Sequence, residues 1–139
     1  MRKRTLSREL ALQVLYQIDI TSDAYETSLN SFWLEYEEKV KIEEEIKSFS
    51  SDLVKGVISN LETIDKKIMQ YAVNWELHRM AVVDRNILRL SCYELMFRED
   101  VPSKVSINEA IELAKKYSGV EAGKFINGIL DKIRLENSR

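Results

Sequence analysis

Met80-Ala-Val-Val-Asp-Arg-Asn-Ile-Leu-Arg-Leu-Ser-Cys-Tyr-Glu-Leu-Met-Phe-Arg98 is the stretch whose reading decides the fold. Val82, Val83, Ile87, Leu88, Leu90, Cys92, Leu95 and Met96 do not form one stripe on a helix of 3.6-residue period. They spread over most of its sides. A helix without a wet face must be covered by other helices, so this segment reads as the centre of a helical bundle.

The segments on either side supply the cover. After Arg98, Asp100-Val-Pro102-Ser breaks the chain, because Pro102 disfavours helix at the residue before it. Ser106-Ile-Asn-Glu109 has the spacing of a capping box, with the hydroxyl accepting from the Glu109 amide and the carboxylate reaching back. It predicts the start of a helix with Ile107, Ala110, Ile111 and Ala114 on one face. Ser118-Gly119 ends that helix, with Gly119 in a left-handed cap. Ala122, Phe125, Ile126, Ile129, Leu130 and Ile133 mark a last helix. Gly123 and Gly128 inside it mean either close helix packing or a surface that another backbone approaches, with Lys124 and Asn127 on the polar side.

Upstream, residues 73–79 form a joint around Trp75. Ile64, Ile68 and Ala72 mark a short helix, and Ile42, Ile46, Phe49, Leu53, Val57 and Leu61 a longer one. Leu29, Phe32, Trp33, Tyr36 and Val40 mark another, whose other face carries Glu35, Glu37 and Glu38; Glu43 to Glu45 follow. Asp19 to Asn30 is polar and contains a turn. Leu10, Ala11, Val14, Leu15 and Ile18 predict a first amphipathic helix over about Leu6 to Ile20. The fold class is therefore all-α, with about seven helices and no strand.

Composition agrees. A chain of 139 residues with one Pro and four Gly has too few turn residues for an all-β sandwich. It is long enough for one domain, residues 1–139, with a real core. The lone Cys92 excludes an internal disulfide and a multi-cysteine zinc site, and fits a reduced, cytoplasmic setting. Glu9, Gln13, Gln17 and Asp19 interrupt any signal-peptide core after the basic start.

Function is read from charge. The first eight residues hold Arg2, Lys3, Arg4 and Arg8 and no acidic residue, whereas the whole chain has a net charge of −2. A local basic cluster can recruit phosphate even on an acidic protein. Tyr16 is suited to stack on an unpaired base, and Gln13 to bond a base edge. An acidic body and the absence of a basic recognition helix favour single-stranded RNA over duplex DNA. A few cations give modest affinity, so a partner that adds contacts is expected. The competing class is a helical protein–protein adaptor without direct RNA binding, its N-terminus a solubilising end. An enzyme has little support: His78 and Cys92 stand fourteen positions apart in sequence on different elements, Cys92 reads as a buried structural residue, and no Gly-rich phosphate loop is present.

Several motifs resemble the NusB family of transcription antitermination factors. They are Trp75-x-x-x-Arg79, Val83-Asp-Arg-Asn-Ile-Leu-Arg89, Tyr93-Glu-Leu95, Val101-Pro, Val105-Ser-Ile-Asn-Glu-Ala-Ile-Glu-Leu-Ala-Lys115 and Lys124-Phe-Ile-Asn-Gly-Ile-Leu-Asp131. Arg8-Glu-x-Ala-x-Gln-x-Leu-Tyr16 resembles the family's first helix. The likeness covers essentially the whole chain, weakly between residues 20 and 50. It implies a fold of two small packed helical bundles. It also implies binding to the boxA element of nascent ribosomal-RNA leader transcripts, jointly with the small-subunit ribosomal protein NusE, in an RNA polymerase antitermination complex. No cofactor, metal or catalysis is implied.

Carried over, the RNA surface falls on Arg2, Lys3, Arg4, Arg8, Tyr16, Arg79, Lys124 and Phe125, and the partner surface on Asp84, Arg85 and Glu121. A homodimer is compatible with the family. The family's arginine run is interrupted here by Thr5 and Leu6, which predicts weaker RNA binding by the N-terminus alone. The same fold also occurs as the N-terminal module of some ribosomal-RNA cytosine methyltransferases, but these 139 residues leave no room for a methyl-donor domain, and that reading is set aside.

Overall fold

The computed structural model describes residues 2–73 and 75–137; Asn74, in the expected joint, lies outside them. Among the described residues there are seven α-helices and no strand. The backbone divides into two compact units, Met1–Ser59 and Asn60–Arg139.

The first unit holds α1 (Lys3–Thr21), α2 (Tyr25–Lys39) and α3 (Glu44–Ser59). Helix α1 begins three residues before the apolar pattern does, with Arg2 as its extended N-cap, so the basic segment is itself helical. It ends where Ser22 turns left-handed and its amide bonds the Ile18 carbonyl. Helices α1 and α3 pack along Val14, Leu53, Val54 and Val57, all fully buried. Leu10, Trp33 and Ile46 join all three helices, with Leu6, Leu29, Phe32, Tyr36 and Ile42 packed around them. The buried Trp33 indole donates to Ser51 Oγ at 3.1 Å, so its one polar atom is satisfied. Helix α3 stops at Ser59, short of the Leu61 expected from its apolar spacing; Leu61 instead opens the next helix.

The second unit holds α4 (Leu61–Tyr71), a single 3-10 turn at Leu77–Arg79, α5 (Val82–Phe97), α6 (Ser103–Tyr117) and α7 (Val120–Glu136). Helix α5 is the centre, as its sequence predicts: α4, α6 and α7 all pack on it. Ile87, Leu88, Leu90, Cys92 and Leu95 are at most 2% exposed. Arg89 grips Asp65 of α4 with two parallel bonds of 2.9 and 3.0 Å, the bidentate geometry that gives an ion pair direction as well as charge. At the far end, Lys67 and Tyr71 of α4 both bond Glu136 of α7. The Lys67 ammonium, then the Tyr71 hydroxyl, hold that carboxyl below its ordinary pKa.

Two details of this unit differ from expectation. Ser106 is not a cap. Helix α6 starts earlier, at Ser103 behind an extended Pro102, which places Ser106 one turn inside. Residues three apart share a face anywhere in a helix, so the Ser106–Glu109 spacing fits a buried face as well as a cap. Here that face meets α5. The Ser106 hydroxyl donates to the Glu94 carboxylate at 2.6 Å and lies 2.8 Å from the Ser91 hydroxyl, in a cluster that is at most 3% exposed. Gly119 does adopt a positive φ, but at φ 109° and ψ 175° it is extended rather than left-handed helical. That region is open essentially to glycine alone. It lets the Ser118 and Gly119 amides share the Ala114 carbonyl before α7 begins.

Removing a donor from a buried carboxylate costs about 1–3 kcal/mol. Ser106→Ala should therefore lower the unfolding free energy by about that much in urea titrations; an unchanged midpoint would mean that Glu94 is satisfied without it.

Candidate functional site

The basic N-terminal segment sits on the first two turns of α1, where the structure gives its four cations different tasks. Arg2 is exposed at the N-cap. Lys3 lies 3.0 Å from both Glu43 and Glu45 at the start of α3, and these carboxylates, Glu43 first, raise the ammonium's pKa. The Arg4 guanidinium stands 4.2 Å from the centre of the Phe49 ring, and that of Arg8 5.6 Å from the same ring. Arg4 is exposed, but Arg8 is only 3% exposed and offers almost no surface to a phosphate. A guanidinium over an aromatic face is favourable by about 0.5–2 kcal/mol, more when desolvated. Much of the basic cluster therefore also serves to hold α1 against α3. Further along α1, Tyr16 is 39% exposed, with Gln13 and Gln17 exposed beside it.

The remaining candidates belong to the second unit, where a cleft of about 340 Å³ brings several together. Arg79, Asp84, Glu121 and Phe125 all line it. Each reaches it from a helix start or a joint: Arg79 from the 3-10 turn, Asp84 from the first turn of α5, Glu121 and Phe125 from the first turns of α7. The Ser118 hydroxyl donates to Asp84 at 2.6 Å, fixing the carboxylate at the rim. Glu121 and Lys124 approach to 3.5 Å, and Arg79 lies 3.8 Å from Glu76. Lys124 is exposed but does not line the cleft. Arg85 points elsewhere, donating to the His78 carbonyl at 3.3 Å and tying α5 to the 3-10 turn.

Sequence reasoning missed Trp75 as a site residue. It lines the cleft, meets Phe125 edge-on at 6.0 Å between ring centres, and remains 51% exposed. A tryptophan in a joint, outside any apolar period, was the available signal, since large exposed aromatics concentrate at interfaces. The two helical glycines also separate. A Cβ on Gly123 would touch the Ile111 side chain at 3.5 Å, which fits close packing, whereas one on Gly128 would meet nothing within 4 Å.

The two groups with nucleophilic potential are not brought together. Cys92 is fully buried, its thiol pushed up to about 12 chiefly by desolvation, with Sγ 3.6 Å from Met96 Sδ. A thiol in that state carries almost no thiolate at neutral pH. His78 is exposed and pairs with Glu76 at 3.2 Å. Among the described residues no group of His, Cys, Asp and Glu is placed to hold a metal ion.

Known proteins share both the sequence and this fold. The NusB family model matches residues 5–134. The transcription antitermination protein NusB of Anaeromyxobacter sp. (strain Fw109-5) is 50% identical over 131 residues, covering 94% of this chain and 89% of that protein. The structure of T. maritima NusB is 37% identical with a TM-score of 0.85, covering 98% of this chain and 92% of that one. A crystal structure of the antitermination factors NusB and NusE in complex with dsRNA contains a chain 29% identical to this one, with a TM-score of 0.86 and 98% coverage of both chains. With its all-helical architecture and a family match along nearly its whole length, the chain belongs to the NusB family.

Proposed function

We propose that this chain is a transcription antitermination factor. It binds the boxA RNA of nascent ribosomal-RNA leader transcripts together with the ribosomal protein NusE, and supports RNA polymerase elongation past terminators. The observation that carries the reading is the match, over 98% of both chains, to a NusB solved with NusE and dsRNA. The chain works by binding rather than by catalysis, in the cytoplasm; no helix among the described residues is long and apolar enough to cross a membrane.

On the first unit, Arg2, Lys3, Arg4 and Tyr16 meet the RNA, and Arg8 acts from beneath by fixing the Phe49 ring on which Arg4 rests. On the second unit, Arg79, Lys124 and Phe125 meet the RNA, while Asp84 and Glu121 face the protein partner, and Arg85 supports them by tying α5 to the 3-10 turn. Asp84 and Glu121 at the cleft suit a basic protein surface.

Removing one cation that neutralises a phosphate should lower the slope of log affinity against log salt by about one. Arg2→Glu and Arg4→Glu should each weaken binding of a boxA leader RNA several-fold at low salt and flatten that slope. Arg2→Glu is the cleaner variant, because a negative charge at a helix N-terminus favours folding. Equal binding by both variants would remove the N-terminus from the RNA surface.

Lys3 supplies a second test. Its exposed ion pairs are weak and easily exchanged. Replacing Glu43 and Glu45 together by Gln should release the ammonium from these pairs and tighten RNA binding about two- to fivefold. Weaker or unchanged binding, in a fluorescence titration with the same RNA, would show that these carboxylates do not compete with phosphate.

A further inference from the structure

Neither backbone geometry nor packing calls for a glycine at position 128, in the middle of α7. Among the described residues the positive-φ glycine is Gly119, and a Cβ on Gly128 would meet nothing within 4 Å. Gly128 is exposed, and almost any other residue would make this turn of helix more stable. A glycine there leaves a bare stretch of helix backbone, which suits the close approach of a chain from outside.

The residues around the bare turn are polar. Lys124 lies four residues before Gly128 and Lys132 four after, so the three share one stripe of the helix, with Asn127 beside them. All four are exposed. Among the described residues no ion pair engages Lys132 and no hydrogen bond engages Asn127. The nearby carboxylates compete little: Asp131 is bonded to Arg134 at 2.8 Å, and Glu121 comes no closer to Lys124 than 3.5 Å.

We propose that the sugar-phosphate backbone of the RNA crosses α7 directly over Gly128, between Lys124 and Lys132. This inference rests on the RNA-binding reading of the chain and carries that surface from the first turns of α7 to its middle. The two lysines stand about 12 Å apart along the helix axis, a length that a strand covers with a few phosphates. Between them the missing side chain lets a phosphodiester lie against the helix, in reach of both ammonium groups and of the Asn127 amide, which donates to a phosphate oxygen. Such contacts fix the path of the strand without reading its sequence. A protein partner would want an apolar anchor beside the bare turn, and Lys124, Asn127, Asp131 and Lys132 offer none.

The test uses the whole chain with a boxA leader RNA, alone and with NusE, and urea unfolding of the same variants. Gly128→Ala and Gly128→Leu place better helix formers where there is empty space, so both should raise the urea midpoint. Both should nevertheless weaken RNA binding, Ala by about threefold and Leu by about tenfold, as the strand is pushed off its donors. A merely structural glycine would move stability and binding in the same direction. Lys132→Gln should weaken binding several-fold and lower the slope of log affinity against log salt by about one. Gly128 variants that bind RNA like wild type overturn the inference, and so does Lys132→Gln with an unchanged slope. A lowered midpoint in both Gly128 variants overturns it as well, because the glycine would then serve the fold. Unchanged RNA binding with weakened NusE binding also overturns it, and would make the bare turn a protein site. Wild type that binds no boxA leader RNA, with or without NusE, would instead overturn the RNA-binding reading itself.

Discussion

Helix α5 is buried on most of its sides, and the arrangement of the second unit depends on that. Residues buried over most of its circumference require neighbours on several sides, and α4, α6 and α7 supply them. Once those three are fixed around α5, their ends and the joint before α5 are fixed as well. That is why Trp75, Arg79, Asp84 and Phe125, drawn from separate segments, share one cleft. The site is a by-product of where covering helices must begin. Its polar members are held by short local bonds, such as Ser118 to Asp84, rather than by the core.

The first unit solves a different problem. Its basic segment sits on a protein whose other residues are net acidic. Much of it is folded into a helix and leaned on Phe49, while the Glu43–Glu45 corner meets Lys3. Cationic groups resting on an aromatic face keep their charge and lose their mobility. Those paired with exposed carboxylates keep an easy exchange for phosphate.

Helix number, the centrality of α5 and the joint at Trp75 were legible in the sequence because each rests on apolar period or on a chain breaker. What was not legible depends on facing partners. The Ser106–Glu109 spacing suits a cap and a buried face equally, and only the position of Glu94 on α5 separates them. Arg8 reads as one more cation in a run, yet α1 begins early enough that its helical position turns it inward beside Phe49. Arg79, Asp84 and Phe125 stand in motifs, and Glu121 between two of them, but nothing in the sequence groups them; Trp75 opens the Trp75-x-x-x-Arg79 motif, yet its spacing alone does not mark it as part of the same cleft. Gly119 is legible as a positive-φ residue, but its extended ψ, in place of a left-handed helical one, is not.

Fixing the basic residues on a helix has a consequence for the shape of anything they grasp. A flexible arginine-rich tail would wrap whatever contour a polyanion presented, and would lose much entropy in doing so. Arg2, Lys3 and Arg4 instead lie within one turn, about 5 Å of helix axis, and fan around it. Such a fan concentrates charge on a single short stretch of backbone and rewards a strand that bends sharply at that point. A polyanion held there would be gripped at one point rather than along its contour.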